Sequence, residues 1–408
     1  MPRRAALTFA LLISAACRGE RRPDAAAVDA GRDAVTPVDV APDGSAPDAM
    51  AVVDAGPPPR RVVVTLTGDV MLHRSVLDSF EDHATQGGLA WALNWLSPLV
   101  TRREVALTFL DSPLTDAYRP PFAGVPPGLG VPRAVARSVA RDLGRVGLDG
   151  VCLATHHAYD QMGDGLGETR ELLRGANLGV AGMGASEEEA WQPWVTERDG
   201  VRVAFLCFTQ RVQMAMGRNA GHFTVAQALD GVRATQALTA ARALADVVVV
   251  GIQWNRAPFR PLAEEQRTLA RELVAAGADV VVGSGMVAPG AVEKLTSPRG
   301  DALLVWSIGS LLSGYGAAWR GVRNPPPAGM DRLMWDATTR DVVLLRAQFD
   351  ASDPAHLSLV TLTANALWMQ RSEGVRLMPL REVIDIDVRE SRARAVAAAV
   401  GPEVRVRQ

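Results

Sequence analysis

At 408 residues the chain has room for two or three ordinary domains, or for one large domain with appendages. Its 48% hydrophobic and 22% charged residues exclude a collagen-like, wholly disordered or polytopic membrane protein, and a formal net charge of −2 argues against a nucleic-acid binder. Three cysteines are too few for a disulfide scaffold or a Cys-rich zinc module.

The chain opens with Arg3 and Arg4, an apolar run from Ala5 to Ala16, and then Cys17. This is the pattern of a secretory signal, too short to be a stable membrane span. Ser14-Ala15-Ala16-Cys17 resembles a bacterial lipobox, in which the cysteine is acylated and becomes the mature N-terminus. The alternative is an ordinary cleaved signal. Arg18 after the cysteine points to outer-membrane sorting. We therefore read 1–17 as a lipoprotein signal with lipidation at Cys17. Residues 18–60 are Ala, Asp, Pro, Val and Gly with no period that survives the prolines. Such a segment cannot bury enough apolar area to offset its ordering entropy, so we expect a disordered tether.

From Arg61 short β-branched runs alternate with Ala/Leu/Arg-rich stretches. Strands are predicted at 61–69, 105–111, 150–157, 201–210, 245–254, 278–285, 302–310 and 340–349. Between them lie amphipathic helical stretches that close on Gly or Asn. Continuously apolar strands are buried on both faces, which places helix layers outside the sheets. The fold class is α/β, with one domain over 61–350 and a C-terminal extension over 351–408 that packs on it. Its closing stretch RESRARAVAAAVG is read as an amphipathic helix with Arg389, Arg392 and Arg394 on a solvated face.

Several predicted strands end in a polar residue: Asp69, Asp111, His156–His157, Gln210, Gln253 and Ser284. In open α/β sheets ligands sit beyond the strand carboxyl ends, so these groups are candidates for one site. The bland alternative is that they cap helices and start turns. Cys152 and Cys207 fall inside predicted strands. We expect two buried free thiols, with a disulfide as the alternative should the strands be neighbours. His73, four residues past Asp69, makes no Asp-x-His pair, and His83, His222 and His356 are read as surface or loop residues, with His222 the one that could reach the pocket on its loop.

TLTGDVML (65–72), FLDSPLT (109–115), the LATHHAYD block (153–184), QWNRAP with the following helix and ADVVVGSG (253–285), and VWSIGSLL (305–312) occur in an order similar to the CapA family, named for poly-γ-glutamate capsule synthesis. The resemblance implies a calcineurin-like metallophosphoesterase fold, a multilayer α-β-β-α sandwich. It implies metal ligands at Asp69, Asp111, His156 and His157, and a catalytic pair in His157 and Asp160. The departures fall on those same functions. Phe109 stands for an Asn, Gln253 for a His, Ser310 for an Asn, and Ser284-Gly285-Met286-Val287 carries no imidazole where the family has two. A binuclear centre needs more ligands than remain. The cofactor expectation is one divalent ion (Mn, Fe or Zn) or none. The expected function is a cell-envelope lipoprotein that handles capsule or exopolymer with a degenerate metal site. The alternative is a metal-dependent hydrolase with a mononuclear site. Expected partners are an envelope polymer or the capsule-synthesis machinery, and the membrane through the lipid anchor.

Overall fold

The structure, a computed structural model, describes residues 58–115, 133–213, 223–228, 231–255, 258–322, 324 and 328–408. The signal, Cys17, nearly all of the tether and His222 lie outside the described residues.

The principal strands are β1 (Arg61–Val70), β2 (Glu104–Leu110), β3 (Gly150–Cys152), β4 (Gly179–Ala181), β5 (Trp194–Arg198), β6 (Val201–Thr209), β7 (Val247–Gln253), β8 (Val280–Ser284), β9 (Gly300–Val305), β10 (Asp341–Asp353) and β11 (His356–Gln370). They run in the order β4-β3-β2-β1-β10-β11-β9-β8-β7-β6-β5. The β4-to-β1 and β9-to-β6 stretches are parallel, and β10, β11 and β5 add antiparallel pairs. The two halves join at one residue pair, Gly300 with Leu357. They fold onto each other, so β5 and β6 pack against β2, β3 and β4. Gly150 and Gly179 make that approach possible, because a Cβ on either would run into the Trp194 indole.

The principal helices are α1 (Arg74–Asp82), α2 (Arg133–Arg145), α3 (Met162–Gly175), α4 (Val232–Arg242), α5 (Glu264–Ala275) and α6 (Ile386–Val400). Their ends follow local chemistry. Gly147, Asn177 and Gly277 take positive φ just beyond α2, α3 and α5, as C-terminal caps do. Glu264 and Glu265 sit in the first turn of α5 against the helix dipole. Asp385 caps α6 by accepting the Val388 N–H at 3.1 Å. Leu238 of α4 and Leu269, Ala270 and Leu273 of α5 pack with Val248, Val250 and Ile252 of β7 in one apolar cluster. A larger cluster fills the space between the sheets and under α2 and α3. The layers are therefore α-β-β-α, as the resemblance implied.

Three expectations change. The predicted 150–157 strand stops at Cys152, and residues 155–161 form the turn that leads into α3. Cys152 of β3 and Cys207 of β6 are not free thiols: they form a disulfide across the two sheets, with Cα atoms 5.9 Å apart. The strands are neighbours across the sandwich, a relation that strand order along the chain does not reveal. Arg392 is not part of a solvated face. It turns inward to pair with Asp341 at the start of β10, because α6 lays that face on the sheet. Residues 356–370 complete the first sheet as β11.

Candidate functional site

The strand ends converge because the register aligns them. Thr209, Gln253 and Ser284 are direct neighbours across β6, β7 and β8. On the other sheet Asp69 pairs with Phe109 and with Ser310 of the short strand Ser310–Leu312. The two sheets meet at Asp69. Its carboxyl accepts the Ser284 hydroxyl on one oxygen and the Gly285 N–H at 3.1 Å on the other. Beyond this contact lies a cavity of about 300 Å³, lined among others by Asp69, Asp111, His156, His157, Arg211 and Gln253.

Each group is held from behind. Asp111 follows β2 and accepts the His157 N–H at 2.9 Å. His157 bonds through Nδ1 to Asp160 at 2.8 Å, and its ring lies edge-on to His156 with centroids 5.0 Å apart. Burial, then the charge of Asp111, pushes the Asp69 carboxyl up to about 7. Burial pulls the His157 imidazole down, but Asp111 and Asp160 outweigh it and hold the ring at about 9. His156 is pulled below its ordinary value by burial and by His157.

Of the other described histidines, His73, His83 and His356 are not among the residues lining the cavity. His73 accepts the Gly314 N–H through Nδ1 at 2.9 Å and packs edge-on against Tyr315. Burial, with His157 nearby, lowers it to about 4. His83 caps α1 and stacks on Trp91 at 3.7 Å, and His356 is exposed at the start of β11. Gln210 is engaged outside the cavity lining: its Oε1 accepts from the Asn255 N–H and from Gln266 Nε2, holding α5 to the strand ends. Arg211 and Tyr315 also line the cavity. Neither was singled out beforehand, since Arg211 stands one residue past a predicted strand and Tyr315 comes from a loop far along the chain.

The donor set does not fit a binuclear metal centre. Both Asp69 oxygens are bonded to protein donors, and one Asp111 oxygen holds the His157 backbone. Phe109 is buried between the sheets, edge-on to Phe205 and against Gly251. Among the described residues, no three His, Cys, Asp or Glu side chains come together as a metal-holding group. Among the same residues the amide of Gln253 has neither Oε1 nor Nε2 hydrogen-bonded, and Ser310 Oγ is likewise buried without a partner.

Residues 63–315 match the family described as "Bacterial capsule synthesis protein PGA_cap". The chain belongs to this family. It is 21% identical over 226 residues to the capsule biosynthesis protein CapA of Bacillus anthracis, covering 55% of this chain and 54% of that protein. The chain thus spans about half the length of the curated relative it matches. Solved structures similar to it include a hypothetical protein of Thermus thermophilus (15% identical, 75% of this chain and 98% of that one, TM-score 0.39). A novel phosphatase of Mycoplasma pneumoniae is also similar (10% identical, 76% and 94% covered, TM-score 0.42).

The buried Asp69 of this PGA_cap-family chain gives a pH prediction. In the unfolded chain an aspartate ionises near 3.8, and in the folded one near 7, so between these values the native state holds the extra proton. The Asp69 contribution to stability therefore falls as pH rises from about 4 to about 7, by up to about 1.4 kcal/mol per pH unit, and is level above, where the raised His157 continues the decline to about 9. Asp69→Asn should lose this slope. Urea unfolding at pH 5, 6, 7 and 8 checks it, and equal slopes in both proteins would refute the assignment.

Proposed function

We propose that this chain is an exported envelope protein that handles capsule or exopolymer by binding, in a crevice that no longer carries a binuclear metal centre. The observation that carries the reading is the closure of Asp69 by Ser284 and Gly285. Where the family pattern places imidazoles, a hydroxyl and a backbone N–H take up the carboxyl that would otherwise face an ion. The family and the CapA relative support the link to capsule synthesis.

Export is supported from two sides. Residues 1–17 have the charged start, apolar run and small-residue ending of a signal, with Cys17 placed for lipidation. The Cys152–Cys207 disulfide suits an oxidising compartment such as a periplasm. On this reading 18–60 tethers the folded domain to a membrane, and the partners are an envelope polymer or its synthesis machinery.

The test is metal analysis of tag-free protein. The expected result is well under one equivalent of Mn, Fe or Zn, unchanged in Asp69→Ala. A stoichiometric ion lost in Asp69→Ala would overturn the reading in favour of a mononuclear hydrolase.

A further inference from the structure

We propose that the crevice binds a saccharide unit, with two adjacent ring hydroxyls held by the side-chain amide of Gln253. This deepens the binding function proposed above and rests on it. Gln253 ends β7, is 2% exposed and lines the cavity. Neither its Oε1 nor its Nε2 has a hydrogen-bond partner among the described residues. Native chains rarely bury an amide this way, so the unmet group calls for an explanation outside the fold.

Its neighbours in the register explain why the fold leaves it unmet. Ser284 donates to Asp69, and Thr209 donates to the Arg211 carbonyl at 2.7 Å. Neither hydroxyl is turned to the amide. The cavity volume, about 300 Å³, lies at the small end of the roughly 300–1,000 Å³ range of ligand pockets, which suits one compact unit.

The amide selects the ligand class. It presents an acceptor and a donor side by side. A carboxylate or phosphodiester, being acceptor only, answers Nε2 and leaves Oε1 bare. A trans peptide unit points its N–H and C=O in opposite directions and meets one atom at a time. Two adjacent hydroxyls both donate and accept, so one receives from Nε2 while the other donates to Oε1. A primary carboxamide shares that pattern but has only one such pair. Further hydroxyls on a sugar ring can continue to the Asp111 carboxylate and to Arg211, an acceptor and a donor that line the same cavity.

The test uses the full chain with D-glucose, N-acetyl-D-glucosamine and acetamide as probes, followed by saturation-transfer NMR and calorimetric titration. Binding of at least one sugar is expected, weakened about tenfold or more in Gln253→Leu. Because that variant removes a buried unmet amide, its melting temperature should stay level or rise, which a structural role for Gln253 would not allow. Gln253→Glu keeps the size but loses the donor, and should also bind weakly. Acetamide binding without sugar binding overturns the inference. So does undiminished sugar binding by both variants, or a lower melting temperature in Gln253→Leu. Metal content measured on the same preparation separates the failures: metal-free protein that binds no sugar refutes this inference alone, whereas a stoichiometric ion refutes the reading beneath it.

Discussion

Replacing Cys152 and Cys207 together by alanine is expected to lower the unfolding free energy by about 3–5 kcal/mol. The two cysteines are 55 residues apart in sequence, so their bond closes a long loop in the unfolded chain. Loop-closure entropy puts the gain between the about 3 kcal/mol of a 15-residue loop and the about 4.7 kcal/mol of a 100-residue one. The bridge also lies where function would notice it. β3 runs straight into the turn carrying His156 and His157, and β6 ends two residues before Arg211. Cross-linking the strands sets the width of the crevice between two sheets whose principal strands pair with each other at one residue pair. Urea unfolding of the double variant beside wild type, each with and without reductant, measures the effect. Reductant should shift only the wild type, and a change below about 1 kcal/mol would show that the sandwich does not depend on the bridge.

Glu104→Ala should cost a similar amount, about 3–5 kcal/mol, through a different cause. Glu104 is buried at the start of β2 and receives Arg346 of β10 through Nε at 3.1 Å and Nη2 at 2.9 Å. Thr65 and Thr101 donate to the same carboxylate, and Asn365 of β11 accepts from Arg346. The network joins four strands. Truncating the acid leaves a largely buried guanidinium without its counter-charge, and that uncompensated charge is the larger part of the loss. The paired change Glu104→Met with Arg346→Met should recover most of the stability, since apolar side chains of similar size need no partner. Calorimetry on the singles and the double makes the comparison. A double variant as unstable as the sum of its parts would sink the argument, because the coupling would then be absent.

Much of the fold was legible from local pattern. The runs VVVTL, VALTFL, VAFLCF and VVVVGI are apolar but for a single threonine in each of the first two, and each became a strand largely covered on both faces. Gly147, Asn177 and Gly277 marked helix ends because few other residues tolerate the left-handed conformation found there. The run from Cys152 to His157 misled, since Leu153 and Ala154 continue its apolar texture into a turn whose conformation is set by Asp111 and Asp160. The Arg389–Arg394 stretch misled because three arginines on a closing helix look solvated, and only the position of Asp341 draws Arg392 inward.

The candidate site divides in the same way. Asp69, Asp111, His156 and His157 were identified as strand-end groups, and all four line the crevice. What strand ends cannot disclose is which groups they meet. Asp69 and Ser284 are 215 residues apart, and their contact exists because one sheet folds over the other. The same fold-over brought Ser284 and Gly285 to the Asp69 carboxyl, left Gln253 without a partner among the described residues, and joined Cys152 to Cys207.

Sequence by itself determined the alternation of strands and helices, the burial of the strands, the family, and the loss of imidazoles at 253 and 284–287. These rest on side-chain type and spacing, which are local. The tertiary structure alone decided the disulfide, the inward turn of Arg392 and the Gln253 amide left without a partner among the described residues. Each depends on the distance between elements remote in the chain, and packing sets that distance only when the two sheets close on a shared core.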